Sequence, residues 1–286
     1  MPAVEFPLIE DYLEQYNYSQ LKCHYDHTYK SIWYYMNPKP RPCFTPILVK
    51  EIGSFQQQTR FLCDQSDDLP VQYLVLASTV PDVFNLGGDL NLFQQLIRSG
   101  NRKSLFTYAK SCIDVLFTNM ISLGHNLTTI SLVQGHALGG GFEAAISGNV
   151  LIAEQSARFG FPEIRFNLFP GMGAYSILSR KIGGTRAEKM ILSGKIYTAD
   201  ELHQIGIIDM VVEDGQGEFA VNQYIEREQK SRNGFQALQE AKRFSDPVTY
   251  KELINIIDVW VDAALRMSDK DLRLIGRLAS RQVSLV

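Results

Sequence analysis

The chain carries 286 residues, 45% apolar and 21% charged, enough to bury one sizeable core or one core with an appendage. A net charge of −3, with no basic run and no aromatic-interleaved basic stripe, gives no reason to expect a nucleic-acid partner. The acidic opening Met-Pro-Ala-Val-Glu-Phe-Pro-Leu-Ile-Glu-Asp does not read as a signal peptide, and no window approaches about 18 uninterrupted apolar residues, so no membrane span is expected.

Cys23, Cys43, Cys63 and Cys112 are irregularly spaced and suit reduced thiols of a cytoplasmic protein better than a disulfide framework. Cys23-His24 with His27 invites a metal reading. Strand alternation would put the two histidines on opposite faces and no second ligand pair follows, so no metal is expected.

In chain order, Gln20 to Tyr25 and Ser31 to Met36 flank a polar break and predict an antiparallel hairpin. Phe44 to Thr59 reads as helix, and the apolar run Val71 to Ser78 as a strand buried on both faces. After the loop Phe84 to Gly88 a helix starts from Asp89, read as its cap rather than as a catalyst. The next helix carries the apolar stripe Leu105, Tyr108, Cys112, Val115 and Leu116.

Thr128 to Gln134 is a β-branched, apolar strand ended by Gly135, and Gly139, Gly140 and Gly141 precede the helix-forming Phe142 to Ile146. A glycine run there lets a ligand approach the backbone, and a helix start offers unpaired N–H groups to developing negative charge. Glu143, in that first turn, reads either as a dipole-complementing surface residue or, given its apolar neighbours, as a carboxyl in a partly buried cleft. The strand Val150 to Glu154 follows, then Phe159-Gly-Phe-Pro-Glu163 and Pro170-Gly-Met-Gly173. Glu163 sits between Pro162 and Ile164 in an apolar setting that disfavours its charge.

Short helices are expected over Ala174 to Ile182, Arg186 to Ser193 and Ala199 to Gln204, then a strand, Ile207 to Val212, and a linker, Asp214 to Gly217. Pro247 reads as the first residue of a helix with Leu253, Ile256, Trp260, Ala264 and Met267 on one face, and Ser268 to Asp271 as a capping box. No Gly-x-Ser-x-Gly elbow is present, and neither Ser193-Gly-Lys195 nor Gly171-Met-Gly173 completes a phosphate or dinucleotide loop. No cofactor is expected.

Phe84-Asn-Leu-Gly-Gly-Asp89, Gly135-His-Ala-Leu-Gly-Gly-Gly-Phe-Glu143, Phe159-Gly-Phe-Pro-Glu163 and Pro170-Gly-Met-Gly173 together resemble the enoyl-CoA hydratase/isomerase (crotonase) family, the pattern running in family order over 75–212. Asp82 to Leu90, Gly139 to Ala145 and Leu168 to Tyr175 more narrowly resemble the bacterial diffusible-signal-factor synthase branch, whose members make cis-2-unsaturated fatty acid signals. Periodicity alone allows a doubly wound sheet. The resemblance implies instead an α/β fold, a spiral of β-β-α repeats over 1–214 with a C-terminal helical appendage over 215–286 that covers the acyl site and helps form a homotrimer or a dimer of trimers.

The resemblance also implies a site: Glu143 and Glu163 as the acid–base pair, roles exchangeable, and an oxyanion hole from the N–H groups of Gly88 and Gly140, with Gly87 a one-residue alternative. Met172 and Trp260 are candidates for an acyl tunnel, each equally plausible as core. The implied reaction is dehydration of a 3-hydroxyacyl-acyl carrier protein to a cis-2-enoyl thioester and its hydrolysis to free acid. A general enoyl-CoA hydratase or isomerase acting on CoA esters, a non-catalytic acyl-thioester binder, and a protein that docks to a sensor kinase stand beside it. Arg98, Arg102 and Lys103 could steer an acidic carrier protein or form a solvated helix end.

Overall fold

A computed structural model describes residues 17–65 and 69–283 together with Ile9 and Leu13, the side chains of 281–283 excepted. The acidic opening, residues 1–11, lies outside these residues apart from Ile9. The hairpin forms as expected: β1 (Leu21–Asp26) pairs antiparallel with β2 (Ser31–Met36), from Leu21↔Met36 to Asp26↔Ser31. His24 stacks against Trp33 and Tyr35 on the strand, His27 falls in the turn beyond it, and no cluster of metal-ligating side chains occurs among the described residues.

Helix α1 (Pro46–Asp64) leads to β3 (Tyr73–Ser78) and β4 (Val83–Asn85), then α2 (Leu90–Arg98) and α3 (Arg102–Met120). The second turn is β5 (Thr128–Val133), β6 (His136–Leu138) and α4 (Gly140–Ala145). The third begins with β7 (Val150–Glu154) and β8 (Arg158–Gly160), a 3-10 turn Pro162–Phe166, α5 (Ala174–Ile182) and α6 (Gly184–Ser193). After β9 (Ile196–Thr198), α7 (Ala199–Gln204) and β10 (Met210–Val212) come α8 (Gly217–Gln229), α9 (Arg232–Ser245), α10 (Tyr250–Leu265) and α11 (Asp269–Val283).

The spiral is visible in the strand order. One sheet runs β1-β2-β3-β5-β7-β10 and the other β4-β6-β8-β9, so each turn places its first strand in one sheet and its second in the other. Pairing is parallel from turn to turn, as at Ile130↔Val150 and His136↔Arg158. The bend between the two strands of a turn stacks on the bend before it: His136 N–H donates to Asp82 C=O at 2.8 Å, and a Cβ on Gly135 would lie 2.1 Å from the Asp82 carbonyl carbon.

Both faces of the larger sheet are covered, which is why β5 and β7 are buried at every residue instead of alternating. On one face Leu74, Leu76, Val133 and Leu151 join the main core with side chains of α1, α3 and α10. On the other, Trp33, Val75, Ile130 and Ile152 pack under Ala220, Val221 and Ile225 of α8.

Several boundaries differ from the sequence expectation for local reasons. Phe44 belongs to an isolated bridge with Gly88, and Thr45 starts α1 by accepting from Leu48 N–H, with Pro46 in the first turn. The helix then runs five residues beyond Thr59, to Asp64. Strands β3 and β10 are shorter than expected, starting at Tyr73 and Met210.

Pro247 does not open α10; Thr249 caps it by accepting from Glu252 N–H, and the Pro247 carbonyl accepts from Arg180. The buried face of α10 is Leu253, Ile257, Trp260, Val261 and Ala264, so Ile257 takes the place expected for Ile256. Ser268 and Asp271 do form the reciprocal cap of α11.

Gly141 tests the packing of α4 on β4, because a Cβ there would stand 2.0 Å from Asn85 O. Gly141→Ala should cost at least about 2 kcal/mol through forced backbone movement. Gly234→Ala, in the α9 helix with nothing within 4 Å, should instead stabilise by about 0.5–1 kcal/mol. Urea unfolding of both variants checks the contrast.

Candidate active site

Two glycine loops from successive turns of the spiral meet edge to edge. In the first, the buried Asn85 side chain accepts from Gly87 N–H at 2.8 Å and Gly87 C=O accepts from Phe44 N–H at 2.7 Å. In the second, Gly139 takes φ 53°, ψ −126°, which turns its carbonyl onto Phe142 N–H and Glu143 N–H and starts α4. A Cβ on Gly87 would lie 2.9 Å from Gly140 N, and one on Gly140 would lie 3.6 Å from Gly88 N. Backbone alone fits here. Among the described residues neither Gly88 N–H nor Gly140 N–H has a partner, whereas Gly87 N–H is taken by Asn85.

The two carboxyls approach the same spot. Glu143, in the first turn of α4, is 1% exposed, and its Oε1 accepts from Met172 N–H at 2.7 Å and Ala174 N–H at 2.9 Å. That resolves its two sequence readings in favour of the buried one. Glu163 opens the 3-10 turn after Pro162, and its Oε1 lies over Gly139, 2.3 Å from where a Cβ would stand. Glu163 is half-buried as a residue, yet its Oε2 is fully shielded and has no partner.

Burial lifts both carboxyls. Glu143 is pushed up to about 8, by burial first and by the charge of Glu163 second, against the lowering effect of its two N–H donors. Burial pushes Glu163 up to about 7. Because the Glu163 charge opposes ionisation of Glu143, the two carboxyls titrate as a coupled pair.

Both carboxyls and both free N–H groups line one cavity of about 290 Å³. Its walls are otherwise mostly apolar and include Met172 and Trp260 together with Phe93, Tyr108, Cys112 and Ile257, which the sequence reading did not assign to a site. Tyr108 and Cys112 sat in a helix stripe that reads as core, so their ambiguous periodicity was the only signal available. Cys112 and Cys43 are free thiols that burial raises to about 12, which removes them as nucleophiles at neutral pH.

Asp89 is the cap it was expected to be, accepting from Asn91 and Leu92 N–H, and it also forms a largely buried ion pair with Arg41 at 2.9 Å. Arg102, for which the sequence left steering charge and solvated helix end both open, pairs with Asp258 and Asp262 of α10 at 3.0 and 3.1 Å. Arg98 and Lys103 are exposed beside it. No helix among the described residues is long and apolar enough to cross a membrane.

The profile of the enoyl-CoA hydratase/isomerase family matches residues 38–262, and the chain belongs to that family. It is 37% identical over 124 residues to 2,3-dehydroadipyl-CoA hydratase of Escherichia coli K12, covering 43% of this chain and 49% of that protein. It is 31% identical over 176 residues to an enoyl-CoA isomerase/hydratase of Zymoseptoria tritici, covering 62% and 54%. The chain thus spans about half the length of the curated relatives it matches.

Among solved structures, enoyl-CoA hydratase of Bacillus halodurans superposes with a TM-score of 0.76 at 17% identity, covering 91% of this chain and all of that one. Pseudomonas aeruginosa DspI superposes with a TM-score of 0.65 at 20% identity, covering 84% and 95%. At such identities these structures establish the fold.

Both glutamates carry folded-state values above the ordinary 4.5, so each destabilises the fold progressively as pH rises from about 4.5 through about 7 for Glu163 and about 8 for Glu143. Glu143→Gln and Glu163→Gln remove that slope. The melting temperature of each variant minus that of the wild type should therefore grow from about pH 5 and level off above about 7 for Glu163→Gln and above about 8 for Glu143→Gln; a pH-independent difference would show that the carboxyls ionise normally.

Proposed function

We propose that the chain moves water across C2–C3 of a long-chain acyl thioester, and that it works as a dehydratase of 3-hydroxyacyl-acyl carrier protein that releases a cis-2-unsaturated fatty acid signal. The observation carrying this reading is the convergence of two raised carboxyls and two free backbone N–H groups on one apolar cavity. The thioester oxygen would lie between Gly88 and Gly140 N–H, each worth about 3 kcal/mol once enolate charge develops.

Ionised Glu163 would take a C2 proton. Protonated Glu143 would give its proton to the 3-hydroxyl, which departs as water; the two roles are exchangeable. With both carboxyls raised towards neutrality, one can be ionised while the other stays protonated. Thioester hydrolysis would reuse the same N–H pair for the tetrahedral oxyanion, with the ionised carboxylate as base for water.

The resemblance to the signal-synthase branch supports the cis product and free acid, while a general hydratase on CoA esters fits the same geometry. Arg98 and Lys103 remain as steering charges for an acidic carrier protein. Exposed Tyr175, Leu192 and Val259 line a second depression, with the loop holding Pro170, and supply an apolar face for a homo-oligomer. The C-terminal helices add Ile257, Trp260 and Leu278 to the cavity wall, in keeping with a cover over the acyl chain. With about 0.8 kcal/mol per buried methylene, a chain four carbons shorter should bind about 3 kcal/mol more weakly.

Glu143→Gln and Glu163→Gln should each cut turnover of 3-hydroxydodecanoyl-carrier protein by about 10²-fold or more with the circular dichroism spectrum unchanged. Near-normal product from either would sink the two-carboxyl mechanism. Mass spectrometry and double-bond geometry of the wild-type products separate the readings. Free cis-2-enoic acid supports the signal synthase; trans-enoyl-CoA without acid release makes the chain a general hydratase. Charge reversal at Arg98 and Lys103 should raise KM for the carrier-protein substrate in a salt-dependent manner and leave a pantetheine ester unaffected.

A further inference from the structure

Gly88 lines the cavity with its N–H unpartnered, and its peptide plane is held from behind. A trans peptide sets this N–H opposite to the Gly87 carbonyl, and that carbonyl is held by Phe44 N–H at 2.7 Å. The orientation of the donor therefore depends on where the Phe44 backbone sits. Phe44 and Gly88 form an isolated bridge; the same two segments are tied again where Leu86 N–H donates to Pro42 C=O at 2.8 Å and where Arg41 pairs with Asp89.

Tyr108 adds a tie at the bridge itself. Its hydroxyl lies between the two segments, donating to Phe44 C=O and accepting from Asp89 N–H at 3.3 Å. Its ring meets Phe93 edge-on at 5.5 Å, and Phe93 lies over Gly88, 2.4 Å from the position of an added Cβ. One side chain thus ties the Phe44 carbonyl, the peptide after Gly88 and the ring covering Gly88. Burial keeps the phenol well above its ordinary range, so the hydroxyl stays protonated and able to donate.

We propose that Tyr108 is a positioning residue for the reaction, its hydroxyl acting as a rung that fixes the aim of the Gly88 N–H at the thioester oxygen. The proposal rests on the oxyanion reading of Gly88 given above. Tyr108 itself need not touch the reacting carbonyl; it acts through Phe44 and Asp89. The helix stripe that made it look like ordinary core accounts for its ring and leaves its hydroxyl unexplained.

The test is Tyr108→Phe, which keeps the ring against Phe93 and removes only the hydroxyl. Tyr34→Phe is the structural control, since the buried Tyr34 hydroxyl bonds Asn119 at 3.1 Å on the hairpin side of the core. Two readouts are combined: turnover of 3-hydroxydodecanoyl-carrier protein, and the isotope-edited infrared band of a 13C-labelled acyl carbonyl in bound dodecanoyl pantetheine amide, with nitrogen replacing the thioester sulfur. For Tyr108→Phe we expect kcat to fall by about tenfold or more with KM within about twofold, and the carbonyl band to lose part of its downshift on binding. Tyr34→Phe should lower the melting temperature comparably and change neither readout.

Unchanged kcat and an unchanged carbonyl band in Tyr108→Phe would overturn the proposal. So would a kcat loss with the band unmoved, which would mark a general packing defect. If the phenylalanine variant does not fold, 4-fluorophenylalanine at position 108 fills the hydroxyl's space without donating and is read in the same way. Wild-type protein that binds the amide with a downshifted band yet turns nothing over would sink the functional reading alone, and the band in the variant would still decide the role of Tyr108.

Discussion

The site depends on a close approach of backbone to backbone that no side chain could share. Gly88 and Gly140 N–H can stand side by side only if the loops after β4 and β6 touch, and these loops touch because successive bends of the spiral stack. The same contact dictates the rest of the neighbourhood. Asn85 O sits under Gly141, Glu163 Oε1 over Gly139 and the Phe93 ring over Gly88. A methyl group at any of these places would displace a donor or a carboxyl, so the glycines are demanded by the space around them at least as much as by their φ values.

That arrangement is bought with stability. Two carboxyls are placed where burial opposes their charge, and two N–H groups are left without partners. The surrounding structure must over-determine them. Glu143 is pinned by Met172 and Ala174 N–H, and the loop carrying those donors is itself pressed by Trp260, whose indole lies 2.5 Å from the position of a Cβ on Gly171. Phe93 meets Trp260 at 5.1 Å and Tyr108 at 5.5 Å. The aromatic chain therefore joins the loop that holds one carboxyl to the loop that holds one N–H donor.

What the sequence made legible was whatever its chemistry keeps local. Both glutamates and both glycine turns lie in short motifs whose meaning needs only the residues beside them, and Asp89 as a cap is a three-residue statement. The three-residue strands β4, β6, β8 and β9 were illegible as strands, being too short for a period. Pro247 looked like a helix start because its ring permits one; Thr249 starts the helix because its hydroxyl satisfies a backbone donor. Arg102 read as a free cation because its partners, Asp258 and Asp262, lie more than 150 residues away in the chain. Tyr108 was legible as core and illegible as support, since the groups its hydroxyl joins come from residues 44 and 89.

The apolar character of the cavity wall follows from the same geometry and strengthens the chemistry it surrounds. Phe93, Ile257 and Trp260 come from helices packed around the spiral, and each also belongs to the core or packs against it. The wall is therefore the inner surface of the core and cannot be made polar without loosening the helices. A donor facing such a wall meets little competing solvent, so its attraction for a developing charge is larger than the same N–H would exert in water. The low dielectric also raises both carboxyls towards neutrality. Hydrophobic packing thus sets together how strongly the two free N–H groups attract a charge and how the two carboxyls are protonated, and a substitution that let water into the wall would weaken both effects even if every polar atom kept its place.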